Sequence, residues 1–332
     1  MMNSGSERHR RGEFELIAEL FAPLATAPGG FGLTDDAAVA TPPAGHDLIV
    51  TADAIVEGVH FFADDPPDLV AKKSLRVNLS DLAAKGCTPA TYVLAISLPD
   101  RTGFDWLRSF AAGLAEDQQE FGISLLGGDT TATPGPLTIA VTAFGHVPAG
   151  RMIRRAGGQV DDLVYVTGTL GDAGGGLVCL KDDGGSLSVA DRQYLIRRFQ
   201  LPEPRMRLGG ALIGLASASL DVSDGLLADL GHIAESSGVR IEIGAPRIPV
   251  SPALRRLWPN ETERLVRAAT AGDDYEIAFT APAHRRRDIM QAAAAAGTTV
   301  SEIGRVTAGK GVALLDSAGF EISAGRPGFV HF

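Results

Sequence analysis

Aspartates recur beside glycines and near the ends of apolar runs along the whole chain, and they are the side chains best suited to chemistry. The members are Asp35/Asp36, Asp53, Asp81, Asp129, Asp221/Asp224 and Asp273/Asp274. Taken singly, each fits a solvated turn or a cap. Together they need cations, because many carboxylates cannot share one cleft without neutralisation. Hard oxygen ligands with few histidines favour Mg²⁺, which usually bridges carboxylates to substrate phosphates, so the pattern predicts a phosphate-handling enzyme with several metal ions.

The stretch 126–131, with the sequence Leu-Gly-Gly-Asp-Thr-Thr, shows this pattern most clearly. It follows the apolar run 123–126 and precedes the strand-like run 137–144. Two glycines let a backbone approach a ligand closely, so an aspartate just past a strand end suits a phosphate-and-metal site. The same reasoning places Asp53 at the end of a strand over 47–53.

Apolar spacing predicts an α+β arrangement for the first half of the chain. Helices are predicted over 14–24, 66–85 and 104–121, and strands over 47–53, 92–98, 123–126 and 137–147. We expect the last two strands to pair with each other. Asp81 falls in the last turn of the second helix, where a carboxylate opposes the helix dipole and needs a compensating cation. The polar, glycine-rich segment 148–158 indicates a boundary, so we expect domains over 1–148 and 149–332.

The second half alternates short strands with helices. Strands are predicted over 163–168, 218–221, 239–243, 276–280, 299–306 and 311–316, and helices over 177–182, 188–199, 204–216, 226–237, 252–257, 261–269 and a segment that includes 292–296. The run 304–311 nearly matches a P-loop, but it lacks the final Ser/Thr and precedes a strand where a helix is required. The glycines at 168, 171 and 174 do not have dinucleotide-binding spacing, so we expect a close-packed strand–helix turn there.

Composition excludes several classes of protein. At 332 residues the chain is long enough for two domains, and its formal net charge of −10 argues against nucleic-acid partners. Cys87 and Cys179 lie far apart and outside any Cys-x-x-Cys pair, so we expect reduced, buried thiols. No stretch approaches the roughly 20 apolar residues of a membrane span, and the expected location is cytoplasmic.

Seven motifs resemble, in order, those of the thiamine-monophosphate kinase family, within the aminoimidazole-ribonucleotide-synthetase-like superfamily. They occupy 32–38, 51–53 with 57–61, 77–86, 126–131, 165–172, 221–226 and 272–276. The resemblance extends over nearly the whole chain, from Phe14 to His331 and Phe332. It implies a two-domain PurM-like α+β fold. The N-terminal domain would carry a mixed or antiparallel sheet with helices and would form a homodimer, and the C-terminal domain would be of an α/β sandwich type.

The resemblance also implies an activity, which is ATP-dependent phosphorylation of thiamine monophosphate to thiamine diphosphate by direct in-line transfer. Carried over by motif, magnesium ions would be held by Asp35, Thr51, Ala52, Asp53, Asp81, Asp129, Asp221 and Asp224. ATP would contact Gly128, Asp129, Arg155 and Ser223, and thiamine monophosphate would contact His60, Asp273 and Phe329. We expect no catalytic acid or base, because the acceptor phosphate is already ionised and transfer needs mainly alignment and charge neutralisation.

Three positions depart from the family pattern. Thr34 precedes Asp35 where the family has glycine, and Ala52 replaces a hydroxyl residue, which would leave its carbonyl or a water as the metal ligand. Asp273 replaces a glutamate and so shortens a substrate contact by one methylene. The alternatives are therefore another ATP-using enzyme of the superfamily, such as an amidine-forming ligase, and an inactive, metal-dependent nucleotide-binding module. The segment 29–36 contains no cysteine, which argues against selenophosphate synthetase.

Overall fold

The structure is a computed structural model that describes residues 13–181, 185 and 187–329. The terminal motif His331 and Phe332, and residue 182 at the end of one predicted helix, lie outside the described residues. In the described part, two β-sheets form, one from each half of the chain. The predicted α+β class with two sheets and flanking helices is confirmed.

The first half begins with a short helix α1 (Glu13–Leu16), a π-type turn at Ile17–Phe21 and 3₁₀ turns at Ala22–Leu24 and Pro28–Leu33. The remaining elements are β1 (His46–Val56), α2 (Pro67–Ala84), β2 (Thr88–Pro99), α3 (Phe104–Phe121), β3 (Ser124–Thr133) and β4 (Thr138–Pro148). The helix predicted over 104–121 is confirmed at both ends. Gly122 adopts a left-handed conformation (φ 67°) that ends α3.

The first sheet has the strand order β1-β4-β2-β3. Strand β3 pairs with β2 in parallel, and β4 lies antiparallel between β1 and β2. The predicted pairing of β3 with β4 is therefore wrong. The reason is that α3 acts as a crossover helix, which returns the chain parallel to β2 and leaves β3 at the sheet edge.

The sequence pattern suggested that Asp53 and Asp129 lie at strand ends. In the structure both lie within strands. Asp53 is followed by three more residues of β1, which continue to pair with β4, and Asp129 is followed by four more residues of β3. Those four residues are paired with Ile96–Pro99 of β2. Threonines and β-branched neighbours suit a pleated, paired strand, so backbone pairing extends the strands beyond the glycines and aspartates.

The two faces of this sheet differ. Ile55, Leu94 and Val141 are buried on the face that packs against α2 and α3. On β1 the opposite face presents Leu48 and Val50, which are 37% and 53% exposed. This outer face is therefore apolar and open to solvent within the described chain.

The second half contains β5 (Leu163–Thr167), α4 (Asp172–Lys181), α5 (Val189–Gln200), α6 (Met206–Ala211), β6 (Ala218–Asp221), α7 (Leu226–Ser237), β7 (Arg240–Gly244), α8 (Pro252–Leu257), α9 (Glu261–Thr270), β8 (Ile277–Ala281), α10 (Arg286–Ala296), β9 (Val300–Thr307) and β10 (Gly311–Leu315). Their sheet order is β10-β7-β9-β5-β8-β6, antiparallel except for the parallel pair β10–β7. The helix predicted over 204–216 is too long: α6 ends at Ala211, and Gly214 then turns the chain at φ 78°.

The two near-matches to phosphate loops have the local structures that their sequences indicated. The segment 304–311 leads from β9 into β10, as its sequence indicated. The backbone N–H groups of Gly171 and Ala173 donate to the carboxylate of Asp274, at 2.6 and 3.2 Å. The start of α4 is thus capped by a buried side chain, and the predicted close-packed turn is confirmed.

Helix α2 connects the two halves. The Arg76 guanidinium donates to the carbonyl of Pro202 (3.1 Å), and the Lys85 Nζ donates to the carbonyl of Ser219 (2.6 Å). Ala83 also packs in a cluster with Leu208 of α6. Residues of α2 and its C-terminal cap therefore contact the second half of the chain directly. Within the described ranges, none of the helices combines the length and apolar character that a membrane crossing requires.

Candidate active site

An acidic cluster forms where β1, α2 and β6 meet. Thr51 Oγ1 donates to Asp81 Oδ2 (2.5 Å), and the backbone N–H of Asp53 donates to Asn78 Oδ1 (3.1 Å). The Asp53 carboxyl faces that of Asp81. Asp221, at the end of β6, approaches the same point from the second half of the chain.

The proximity of these carboxylates makes ionisation costly. Burial, and then the Asp81 carboxylate, raises the pKa of Asp53 to about 6. The same two causes raise the pKa of Asp221. Lys85 lies beside Asp221 and Asp81, although burial lowers its own pKa to about 8. Lys85 is therefore the compensating cation that we predicted for Asp81 from its position in the last turn of α2.

The cluster fits a magnesium site that is completed by a substrate. In the described part of the chain, no three acidic, histidine or cysteine side chains stand close enough to hold a metal ion by themselves. Mg²⁺, however, is commonly held by one or two carboxylates together with water and substrate phosphates. Asp53, Asp81 and the Thr51 hydroxyl supply hard oxygen donors of this kind, and an added cation would offset the burial and carboxylate repulsion that raise the pKa of Asp53.

A cavity of about 620 Å³ lies between the two halves, next to the acidic cluster. We call it the interdomain cavity. It is lined by residues of both halves, among them Asp53, His60, Phe199, Ser223, Asp224, Asp273, Tyr275 and Phe329. The three residues predicted to contact thiamine monophosphate, which lie far apart in sequence, are thus brought to one cavity.

His60 is held by its backbone and by its ring. The backbone N–H of Val56 donates to Nδ1 (3.0 Å), so the neutral ring carries its proton on Nε2. The carbonyl of His60 accepts a hydrogen bond from the ammonium of Lys73 (2.8 Å). A buried lysine therefore fixes the loop that presents this histidine.

The segment 272–276 adopts an unusual backbone. Asp273 and Tyr275 both have positive φ values, 67° and 51°, which cost energy for residues other than glycine. The turn is held by backbone donation from Asp273 to Ser223 (2.8 Å) and from Tyr275 to Val222 (2.8 Å). Asp273 lines the interdomain cavity, and its Oδ2 lies 3.3 Å from Nζ of the buried Lys73 behind the cavity wall.

The loop that precedes α7 is organised by Asp229, which the sequence reasoning missed. Its Oδ2 accepts hydrogen bonds from the backbone N–H groups of Ser223, Asp224 and Gly225, at 3.0 to 3.1 Å. Burial raises the pKa of Asp229 to about 7. The Asp224 carbonyl in turn accepts from the backbone N–H of Phe329 (2.9 Å), which brings the C-terminal segment to the cavity.

A second cavity, of about 470 Å³, lies at the opposite edge of the first sheet. We call it the edge cavity. Asp35, Gly128 and Asp129 line it, together with Leu33 and Val93. The predicted metal and nucleotide ligands of one chain are therefore divided between two cavities instead of sharing one cleft.

The structure gives Gly128 a role other than the one expected. A side chain there would place its Cβ 2.0 Å from the carbonyl oxygen of Leu94 on the adjoining strand. The glycine is thus required by the close approach of β2 and β3. A Cβ at Gly127 would meet nothing within 4 Å. The open space beside this backbone is therefore at Gly127 and not at Gly128.

Two further predicted residues lie on the margins. Arg155 is exposed beside Lys85, on the interdomain side, and does not line either cavity. Ala52 lies between Thr51 and Asp53 on β1, so its side chain points to the outer face of the sheet. The hydroxyl that this position lacks would therefore not have faced the Asp53 carboxylate.

Lys73 on α2 and Lys85 just after its end had a signal in the sequence. Lys73, Asp81 and Lys85 are spaced by multiples of four residues, which brings them near one side of a helix. Charged residues repeating at that spacing indicate a polar stripe along one side of the helix. Asp229 offered no comparable signal, because a helix normally tolerates an aspartate in its first turn.

Comparisons with known proteins identify the family. The N-terminal domain model of AIR synthase related proteins matches residues 34–147, and the C-terminal domain model matches 159–317. A thiamine-monophosphate kinase from Caulobacter vibrioides is 44% identical over 96% of this chain and 90% of its own length.

Solved structures agree. A thiamine-monophosphate kinase from Stenotrophomonas maltophilia K279a is 42% identical, with a TM-score of 0.79 over 85% of this chain and 89% of its own. The structure described as AaThiL complexed with AMPPCP and TMP is 30% identical, with a TM-score of 0.78 over 97% of both chains. The two-domain architecture, the ordered motifs and these matches together show that the chain belongs to the thiamine-monophosphate kinase family of AIR synthase related proteins.

Proposed function

We propose that this chain transfers the γ-phosphoryl group of ATP to thiamine monophosphate and so produces thiamine diphosphate. The observation that carries the proposal is the interdomain cavity, which places His60, Asp273 and Phe329 beside the acidic cluster. A relative of known structure was solved with AMPPCP and TMP, and the family match extends over nearly the whole chain.

The lining of the interdomain cavity is suited to a substrate with a cationic ring and a phosphate. Asp273 supplies negative charge for the thiazolium ring of thiamine monophosphate, and Phe329, which is 52% exposed, offers an aromatic face against which a ring can pack. The Nε2 proton of His60 is a donor suited to a phosphate oxygen. Asp273 is one methylene shorter than the family's glutamate, so its carboxylate reaches less far. The substrate must therefore lie closer to the backbone of Asp273, or a water must bridge the two.

Magnesium is part of this proposal. Asp53, Asp81 and Asp221 would hold it with the Thr51 hydroxyl, and Asp224 lies at the margin of the same cavity. When bound, the metal would neutralise the phosphates of both substrates. The protein's own carboxylates would set where that neutralisation occurs. We assign no catalytic acid or base, because the attacking oxygen belongs to a phosphate that is ionised at neutral pH.

We further propose that the chain acts as a homodimer joined through the first domain (1–148), with the second domain (149–332) completing the substrate site. The apolar outer face of the first sheet supports this, since exposed apolar patches commonly mark interfaces. The separation of the edge cavity from Asp53 supports it too. Because β1 lies at the edge of the sheet, a second copy on the outer face that extends past this edge would bring its own edge cavity, with Asp35, Gly128 and Asp129, toward the acidic cluster.

The activity is tested by incubating the protein with ATP, Mg²⁺ and thiamine monophosphate and measuring thiamine diphosphate. Asp129→Asn is assayed across a magnesium titration, and we expect a large loss of turnover that added magnesium partly restores. Near-wild-type turnover of this variant at ordinary magnesium would contradict the metal role of Asp129. Binding of ATP by the wild-type protein without any product would instead support an inactive nucleotide-binding module.

A further inference from the structure

We infer that Lys73 is a positioning residue that fixes two substrate contacts, Asp273 and His60, from behind the cavity wall. The inference rests on the proposed function and adds a residue that the family motifs did not identify. Lys73 lies on α2 and is only 2% exposed. It is not among the residues that line the interdomain cavity, which places it behind the side chains that would contact the substrate.

The Lys73 ammonium has three partners, and each belongs to a different part of the cavity wall. Nζ lies 2.8 Å from the His60 carbonyl and 3.3 Å from Asp273 Oδ2. It also lies 3.7 Å from the centre of the Phe199 ring, over its face. Burying an ammonium is costly unless it is paired and hydrogen-bonded, and these three contacts are what compensates that cost here.

The two carboxylate oxygens of Asp273 have different partners. Lys73 engages Oδ2, whereas the Tyr275 hydroxyl lies 3.4 Å from Oδ1. Asp273 also has a strained backbone (φ 67°), which persists only where the surrounding contacts hold it. Removal of the ammonium would free Oδ2 to rotate away and would release the His60 loop at the same time.

The test compares Lys73→Met with Lys72→Met. Lys72 is the matched control, because it is the neighbouring lysine on the same helix and its ion pair joins it to Glu116 of α3, away from the cavity. We expect Lys73→Met to raise the KM for thiamine monophosphate about ten-fold or more, as for a lost hydrogen bond to a charged group. The KM for ATP should change less than about two-fold, and Lys72→Met should leave both values unchanged.

A double variant separates positioning from general loss of structure. If Lys73 acts through Asp273 and His60, Lys73→Met combined with Asp273→Asn will raise the KM for thiamine monophosphate more than Asp273→Asn alone but less than the product of the two single effects, because the part that acts through Asp273 is already lost. If Lys73→Met alone does not fold, the double variant, which leaves neither charge unpaired, is compared with Asp273→Asn. We then expect a further rise in the KM through the released His60 loop, and no further rise would count against the inference.

Additive effects in the double variant, or an unchanged KM in a folded Lys73→Met protein, would overturn the inference. Failure of the proposed function has a different signature, since the wild-type protein would then make no thiamine diphosphate at all. Direct binding of thiamine monophosphate in the presence of ADP and Mg²⁺ gives a second readout, in which Lys73→Met should weaken binding by the same factor as it raises the KM.

Discussion

Mixing two inactive variants tests whether the acidic cluster and the edge cavity meet across two subunits. Asp53 lies on β1 and Asp129 on β3, and two strands separate them. Three interstrand spacings of about 4.8 Å place the two backbones about 14 Å apart. The ligands of one Mg²⁺ lie about 2.1 Å from the ion, so these two carboxylates of one chain cannot hold the same ion.

Asp53→Asn and Asp129→Asn should therefore each be inactive alone and active when combined. Random exchange of subunits would make half of the dimers mixed. Each mixed dimer would carry one site with both aspartates intact and one site with both replaced. The expected turnover is about a quarter of the wild-type value, or about half for mixed dimers purified through two different tags.

The matched control exchanges wild type with the double variant Asp53→Asn/Asp129→Asn. If the site is shared, these mixed dimers contain no intact site and should be inactive. If each chain holds a complete site, the outcomes reverse: the first mixture stays inactive and the control dimers keep about half of the wild-type turnover. That reversal would refute both the shared site and the separation argument.

Three further predictions follow from single groups. Because the pKa of Asp53 is raised to about 6, protons compete with Mg²⁺ at mildly acidic pH. The Mg²⁺ concentration that half-saturates the protein should therefore rise about four-fold from pH 7 to 5.5. The same half-saturating Mg²⁺ concentration at both pH values would contradict this. Without metal the sign is opposite, and thermal unfolding should show the apoprotein gaining stability as the pH falls through 6. Gly128→Ala should cost about 1–3 kcal/mol in thermal or denaturant unfolding, because its Cβ would meet the Leu94 carbonyl, whereas Gly127→Ala should be nearly neutral; equal effects would count against the reasoning. Lys85→Met should tighten Mg²⁺ binding several-fold in calorimetry, because the acidic cluster loses a neighbouring cation; weaker binding would argue against that role.

Much of the secondary structure could be predicted because its signals are local. Helix α3 begins after Gly103 and ends before Gly122, and apolar spacing between them marks its buried face. The extent of β1 and β3 could not be predicted in this way. Asp53 and Asp129 continue in paired strands because the adjoining strands supply hydrogen-bond partners, and such pairing depends on sheet topology rather than on local sequence.

The candidate site likewise contains residues that the sequence motifs predicted and residues whose roles depend on the tertiary fold. Motif resemblance predicted His60, Asp273 and Phe329 as substrate contacts, and the fold brings them to one cavity. It did not predict Lys73, whose role arises from contacts with residues 13 and 200 positions away. Nor did it predict that Asp129 lies in another cavity, since the order of strands in a sheet is not written in the spacing of one motif.

The most direct measurement of the central claim follows a labelled phosphoryl group. The wild-type protein is incubated with Mg²⁺, thiamine monophosphate and ATP that carries ³²P at the γ-position. We expect the label to appear in the terminal phosphate of thiamine diphosphate, in step with ADP and without any labelled protein. Label in inorganic phosphate alone, or held on the protein as a phosphoenzyme, would contradict direct transfer between the two substrates.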